Sequence, residues 1–433
     1  MRAPSLRSPC GFSRLSVPRL SGSRLSGQVI AAVSPTLRLL TVTTTAVLGV
    51  LASMTPAAAA PGSPAGRQQE CTSSVPFAAG EDGYDTFRIP AVVTTASGTV
   101  LAFAEGRVSG AADTGDIDVV VKRSTDGGCT WGPLAVVAAG EGDTRGNPAP
   151  VVDPATGRIV LVTCYNAGDA TEGEITRGEV PPEDSRRVFV QTSDDDGLTF
   201  TAPREITADV KPPEWRWYAT GPGHAIALTH GEHAGRLVVP ANHSVVPPEG
   251  SGDLGDEDRY YGAHALYSDD GGQTWQLGFT DGAYDGTVNP NESIAAELPD
   301  GRIYFNSRDQ NGTAPGARLD AYSLDGGETL QHPYAPQPTL DDVPVVQASV
   351  LQTADGPLLF SGPSVPDARK AMALWRSDDG GQTFRKALVL SELPAAYSDL
   401  VQLDAATVGV LYETGQLGPY ESIELRRVPL ADL

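Results

Sequence analysis

The chain has 433 residues, with 31 Lys plus Arg against 54 Asp plus Glu, for a formal charge of -23. That balance excludes a nucleic-acid binder, which needs a basic surface to displace phosphate counterions, and it argues against docking on anionic lipid. An apolar content of 40 %, with 48 Gly and 35 Pro, excludes a disordered acidic polymer and favours a turn-rich all-β body.

Residues 1–60 read as an export signal. Arg2, Arg7, Arg14, Arg19, Arg24 and Arg38 stand in a segment without acids. The apolar run Leu39–Ala52 follows, and then Pro56 to Ala60, with cleavage expected near Ala59 or Ala60. The run is short for a membrane anchor. Without residues 1–60 the charge is -29. The mature protein is therefore expected to be secreted and soluble, with no membrane partner.

Cys71, Cys129 and Cys164 remain after cleavage, none in a Cys-x-x-Cys pair, so zinc ribbons and redox motifs are excluded. Outside the cytoplasm one disulfide is permitted. Cys71 and Cys129 are the better pair, one near the mature terminus and the other in a surface turn. Cys164 lies in the apolar run VLVTCYN and reads as a buried small hydrophobe.

One local pattern recurs. Ser124–Trp131, Ser193–Phe200, Ser268–Trp275 and Ser377–Phe384 share Ser-x-Asp-x-Gly-x-Thr-aromatic, and Ser323–Leu330 has lost the aromatic. Each follows an apolar strand-like run and reads as a hairpin turn. Ser and Asp can cap backbone N–H groups, and Gly accepts positive φ. The copies are folding staples rather than catalytic groups. They lie roughly 55 to 75 residues apart, the length of a four-stranded sheet. Six sheets of about 62 residues would fill residues 61–433, giving a six-bladed β-propeller as one domain.

Three arginines stand at strand edges: Arg88 in FRIP, Arg308 in FNSRD and Arg369 in PDARKAMALW. Strand starts of different blades converge on a propeller axis, so the three would form a concentrated cationic site. Arg suits bidentate carboxylate binding.

The repeated turns resemble the Asp boxes of the sialidase superfamily, whose fold is a six-bladed propeller. The strings around the arginines resemble those of secreted bacterial exo-α-sialidases of the actinobacterial type, over essentially all of residues 75–433. The resemblance implies that Arg88, Arg308 and Arg369 clamp the sialic acid carboxylate. It implies that Glu413, in the strand-end Val410-Leu411-Tyr412-Glu413, orients Arg88. Arg107 matches the Arg at the sugar's 4-hydroxyl, and Asn147 in GNPAPVV matches a position lining the site. For the acid/base catalyst Asp113 fits best, Asp116 is the runner-up and Asp118 looks structural. Glu292 in Asn291-Glu292 matches the catalytic Glu, with Glu297 read as strand-edge. Tyr397 in PAAYSDLVQL matches the nucleophile, with Tyr412 as a packing competitor. Trp215, Trp217 and Tyr218 look like the rim for the glycerol tail or aglycone. The acidic loops Asn166–Arg187 and Pro247–Asp258 are candidates for the cleft mouth.

A tyrosine nucleophile has a physical reason here. Sialic acid carries a carboxylate on its anomeric carbon, which repels an incoming carboxylate anion. A neutral phenol avoids this. Its pKa near 10 makes it a poor nucleophile, so Glu292 would remove its proton. The arginines would further lower its pKa. Asp113 would protonate the leaving oxygen and then activate water, giving net retention through a covalent Tyr397 intermediate.

The expected partners are sialylated glycoconjugates, and the protein is expected to be a monomer without cofactor or metal. Competing readings are a sialic-acid-binding propeller without catalysis, a trans-sialidase, and a hydrolase for a nonulosonic acid lacking the N-acetyl group. No Gly-x-Ser-x-Gly elbow, phosphate loop or His-Glu-x-x-His occurs.

Overall fold

The computed structural model describes residues 71–354 and 356–433. The expected export signal, residues 1–60, and the first ten residues of the expected propeller lie outside the described residues.

The chain runs as successive antiparallel four-strand meanders. The first strands of these are Thr86–Thr94, Thr144–Val152, Trp215–Thr220, Pro290–Glu297, Ser349–Gln352 and Ala395–Asp404. Each contacts the first strand of the next meander, and Ala395–Asp404 returns to contact Thr86–Thr94. The result is an all-β propeller. Hydrogen-bonded sheets number five among the described residues, against the six expected. The difference has one cause: a single parallel pair, Ile117 with Thr144, joins the first two meanders into an eight-stranded sheet.

Burial along a meander explains the sequence patterns. Strands near the axis are sandwiched between neighbouring sheets and read as continuous apolar runs, as in Val100–Arg107. Outer strands such as Arg385–Val389 are exposed or half-buried throughout. The apolar core is accordingly divided. One cluster packs Leu101, Phe103 and Val119 against Leu161, and another packs Tyr304, Phe360 and Trp375 together. Two short α-helices interrupt the strands, Glu172–Arg177 and Thr207–Val210. The first carries a capping box from Thr171 and Glu174 and ends at Gly178 with φ 72°. No helix among the described residues is long and apolar enough to cross a membrane.

The Ser-x-Asp turns each link the third and fourth strands of a meander. In the Ser268 turn, Gly272 N donates to Ser268 Oγ at 2.9 Å and Thr274 N to Asp270 Oδ1 at 2.8 Å. Thr274 Oγ1 donates to Asp270 Oδ2 at 2.6 Å. The Ser323 turn, which lacks the aromatic, keeps the same bonds. The glycine after the Asp also docks the turn on the preceding sheet. At Gly381, φ is 92° and an added Cβ would fall 2.5 Å from Tyr304 of the preceding meander.

The ring is closed by the first and last strands of the described residues. Ser73–Ala78 pairs antiparallel with Ser422–Pro429 and so completes the last sheet. Cys71 is disulfide-bonded to Cys129 in the first meander's Asp-box turn, with Cα atoms 5.7 Å apart. Cys164 is free and buried, as the sequence suggested.

Candidate active site

The first strands carry a second recurrent device. Five of them contain a register shift near one end: Arg88/Ala91, Gly146/Ala149, Trp215/Tyr218, Pro290/Ser293 and Ala395/Ser398. A bulge re-aims the side chains within it. Arg88, Asn147, Trp217, Glu292 and Tyr397 all lie in these irregular stretches, and all line one cavity. Ile89 adopts φ 58° and Asn147 φ 53°. For a β-branched residue this is a strained conformation. At Ile89 it is held by donation from Ile89 N to Glu413 Oε1 at 2.9 Å.

The cavity brings together every predicted site residue except Glu413. Glu413, expected to orient Arg88 rather than to line the site, lies fully buried behind the wall. Its oxygens accept from Arg88 Nε at 3.2 Å, Arg88 Nη2 at 3.4 Å and Tyr397 N at 3.1 Å. One buried carboxylate thus aligns both Arg88 and the backbone at Tyr397.

Tyr397 Oη donates to Glu292 Oε1 at 2.6 Å, and Arg308 Nη1 donates to Glu292 Oε2 at 2.9 Å. Tyr397 is buried, and the guanidiniums of Arg88 and Arg369 lie 5.0 and 5.8 Å from its ring centroid. Burial, and then Glu292, push the phenol well above its ordinary pKa, and Arg308, Arg88 and Arg369 only partly offset this. The arginines do lower it, as expected, but burial outweighs them and the net shift is upward. The phenol is therefore neutral and hydrogen-bonded to Glu292.

Asp113 sits on an exposed loop. Its Oδ1 accepts from Arg107 Nη1 at 2.8 Å and from Arg88 Nη1 at 3.2 Å. Desolvation by the cleft raises its pKa, but Arg107, Arg88 and Arg369 outweigh that and hold it below the ordinary value. The two competitors face elsewhere. Asp116 caps Gly142 N at 3.0 Å, and Asp118 accepts from Tyr84 Oη at 2.5 Å. Glu297 caps Thr229 and His230, and Tyr412 is packed in the core. The predicted aromatic rim divides. Trp217 lines the cavity, whereas Trp215 and Tyr218 pack around His264.

The wall is less cationic than the three-arginine picture implied. Arg88, Arg107, Arg186, Arg308 and Arg369 face Glu105, Asp113, Glu172 and Glu292. Arg369 makes no ion pair among the described residues; its Nη1 donates to Tyr420 Oη at 3.1 Å. Several of these groups were not singled out from sequence. Glu105 Oε2 receives Arg107 Nη2 at 2.6 Å, and Glu105 Oε1 receives Asn147 N at 2.9 Å. Arg186 Nη2 donates to Asn147 Oδ1 at 2.6 Å. Glu172 arrives on the short helix of the acidic loop Asn166–Arg187 and accepts from Tyr261 Oη. The only sequence hint of Glu105 is its place in AFAEGR, and nothing in DSRRVFV sets Arg186 apart from Arg187. Among the described residues no group of three or more His, Cys, Asp or Glu is placed to hold a metal.

A family model described as a BNR repeat-like domain matches residues 98–410. The chain is 35 % identical over 354 residues to a sialidase of Micromonospora viridifaciens, covering 78 % of this chain and 51 % of that one. It is 33 % identical over 317 residues to an exo-alpha-sialidase of Aspergillus fumigatus, covering 69 % of each. Among solved structures it is similar to the Hadza microbial sialidase Hz136. That match has TM-score 0.70 and 29 % identity, over 82 % of this chain and 68 % of the other. The chain spans about half the length of the Micromonospora protein. Asp-box turns, a closed ring of meanders and these matches lead to one conclusion: the chain belongs to the BNR-repeat, Asp-box sialidase family.

Proposed function

We propose that the protein is an exo-α-sialidase that hydrolyses terminal α-linked sialic acid from glycoconjugates with net retention. One observation carries the reading. Tyr397 Oη is hydrogen-bonded to Glu292, in a cavity that also holds Asp113 and the three arginines Arg88, Arg308 and Arg369.

The substrate carboxylate competes with Asp113 for Arg88. As it binds there, Asp113 loses an ion-pair partner, and its pKa rises toward the value a general acid needs. Tyr397 Oη then bonds to the anomeric carbon while its proton passes to Glu292. Asp113 gives its proton to the leaving oxygen. In water, moving a proton from a phenol to a carboxylate costs about 8 kcal/mol. The transfer must therefore accompany C–O bond formation rather than precede it. In the second half, water attacks the anomeric carbon as Asp113 takes its proton, and the departing Tyr397 oxygen recovers a proton from Glu292. Arg107 serves the 4-hydroxyl, Asn147 the same wall, and Glu413 holds Arg88 from behind.

The wider organisation belongs to this reading. Residues 1–60 are a secretory signal, and residues 61–433 are a six-bladed catalytic propeller acting outside the cell as a monomer. The blade count is supported by six apolar clusters, each between successive meanders. The eight-stranded sheet then counts as two blades bridged by one residue pair.

Trapping with a 3-fluorosialyl fluoride, followed by peptide mapping, tests the chemistry. A covalent adduct on Tyr397 is the expected result. Release of sialic acid with no adduct on that residue, or no release at high enzyme concentration, would overturn it.

A further inference from the structure

We infer that Tyr420 is a positioning residue for the carboxylate clamp, holding Arg369 and Arg88 in place while leaving the charge of Arg369 intact; this rests on the glycosidase reading and deepens it. The three arginines are backed differently. Arg308 Nη1 donates to Glu292 Oε2 at 2.9 Å, and Arg88 Nε to Glu413 Oε1 at 3.2 Å. Arg369 is held by neutral oxygens instead. Its Nη1 donates to Tyr420 Oη at 3.1 Å, and its Nη2, more weakly, to Val345 O at 3.5 Å. A carboxylate in the place of Tyr420 would align Arg369 but also neutralise it. A phenol oxygen accepts from the same N–H group without adding a charge. Arg369 therefore keeps the least compensated charge of the three for an incoming carboxylate.

One ring serves two guanidiniums. That of Arg88 lies over the Tyr420 ring, 4.2 Å from its centroid. Tyr420 thus sets Arg88 and Arg369 relative to each other, as a carboxylate shared between them requires. Tyr420 is itself held firmly. It lies half-buried against the cluster that contains Ile89, Ala396 and Tyr397. Its loop, between Thr407–Thr414 and Ser422–Pro429, is knitted by the next residue. The Glu421 carboxylate accepts from Gln416 N and Leu417 N at 2.8 Å each and from Gly418 N at 3.1 Å. The Glu421 carbonyl accepts from Ala79 N at 2.9 Å, which ties the loop to the end of Ser73–Ala78. Tyr420 does not line the cavity, so it acts through the two arginines and not on the sugar.

Tyr420→Phe tests this, because it keeps a ring under Arg88 and removes only the oxygen that holds Arg369. With a fluorogenic α-sialoside, KM should rise about tenfold and kcat change less than about threefold, since the carboxylate is held alike in ground and transition states. Inhibition separates this from a general loss of structure. Binding of the ring-unsaturated glycal of sialic acid should weaken about tenfold, and binding of its methyl ester, which carries no anionic carboxylate, less than about twofold. In an Arg369→Ala background, adding Tyr420→Phe should change KM by less than about twofold. An unchanged KM, equal losses for acid and ester, or the same tenfold cost without Arg369 would overturn the inference and leave the glycosidase reading standing. So would a melting temperature lowered by more than about 5 °C, which would make Tyr420 a structural residue. An unaltered protein that neither cleaves the sialoside nor binds the glycal would sink the glycosidase reading, and this one with it.

Discussion

Two recurrent features divide the labour of this propeller. The five Asp-box turns are near copies of one another, and their polar groups are satisfied locally within eight residues. The five bulges on the first strands share no sequence, and each aims a different side chain into the cavity. Near-identical turns serve a task that repeats in five of the six meanders, docking one sheet on the last. Dissimilar bulges serve a task that occurs once, assembling a site around an axis. The comparison implies that damage to a bulge residue removes chemistry, and damage to a turn removes stability.

The sharpest way to break it is Tyr397→Phe. Loss of the nucleophilic oxygen should lower kcat on the order of a thousandfold, with the melting temperature unchanged or slightly raised. Wild-type-like turnover would end the distinction at its strongest point. Glu413→Gln probes the support behind the bulges. Arg88 loses its buried counter-charge, so kcat/KM should fall by about a hundredfold, and stability should drop as well. A purely structural Glu413 would change the melting temperature and leave KM alone. Asp270→Ala tests the other side. It should cost about 1–2 kcal/mol in denaturant unfolding, through the bonds from Thr274, while the native fraction keeps its kcat.

The smallest effect is on acid stability. Hydrogen bonds from Thr199 hold the Asp195 carboxyl down to about 2. A carboxylate depressed in the folded state stabilises above its ordinary pKa, near 4, and that contribution fades as pH falls toward 2. The turns are exposed, so the effect is modest. The melting temperature of Asp195→Asn should approach that of the unaltered protein between pH 4 and 2. A constant gap over that range would contradict the assignment.

The same contrast explains what could be read in advance. The turns were legible because each one's partners lie within a few residues, so a short string contains the whole interaction. Arg88, Glu292 and Tyr397 were legible through strings that resemble those of a known family. Arg186 was not, because what makes it a wall residue is Trp217, thirty-one positions away on another meander. Tyr420, which meets both Arg88 and Arg369, was missed for the same reason. The net upward shift of Tyr397 was not legible because counting arginines reveals charge but not burial, and burial is the larger cause.

Closure of the ring by its first and last described strands bears on synthesis. Among the described residues, strand Ser73–Ala78 finds its only sheet partner in Ser422–Pro429, made some 350 residues later. A ribosome-bound chain therefore carries an unpaired strand and an open ring until those later residues have been made. Pairing so distant in sequence is intrinsically slow. A polypeptide whose ring cannot close until that strand has emerged stays open for longer. It also ties quality to completeness: a product truncated before Ile423 lacks the final strand and keeps an exposed edge, open to aggregation or proteolysis.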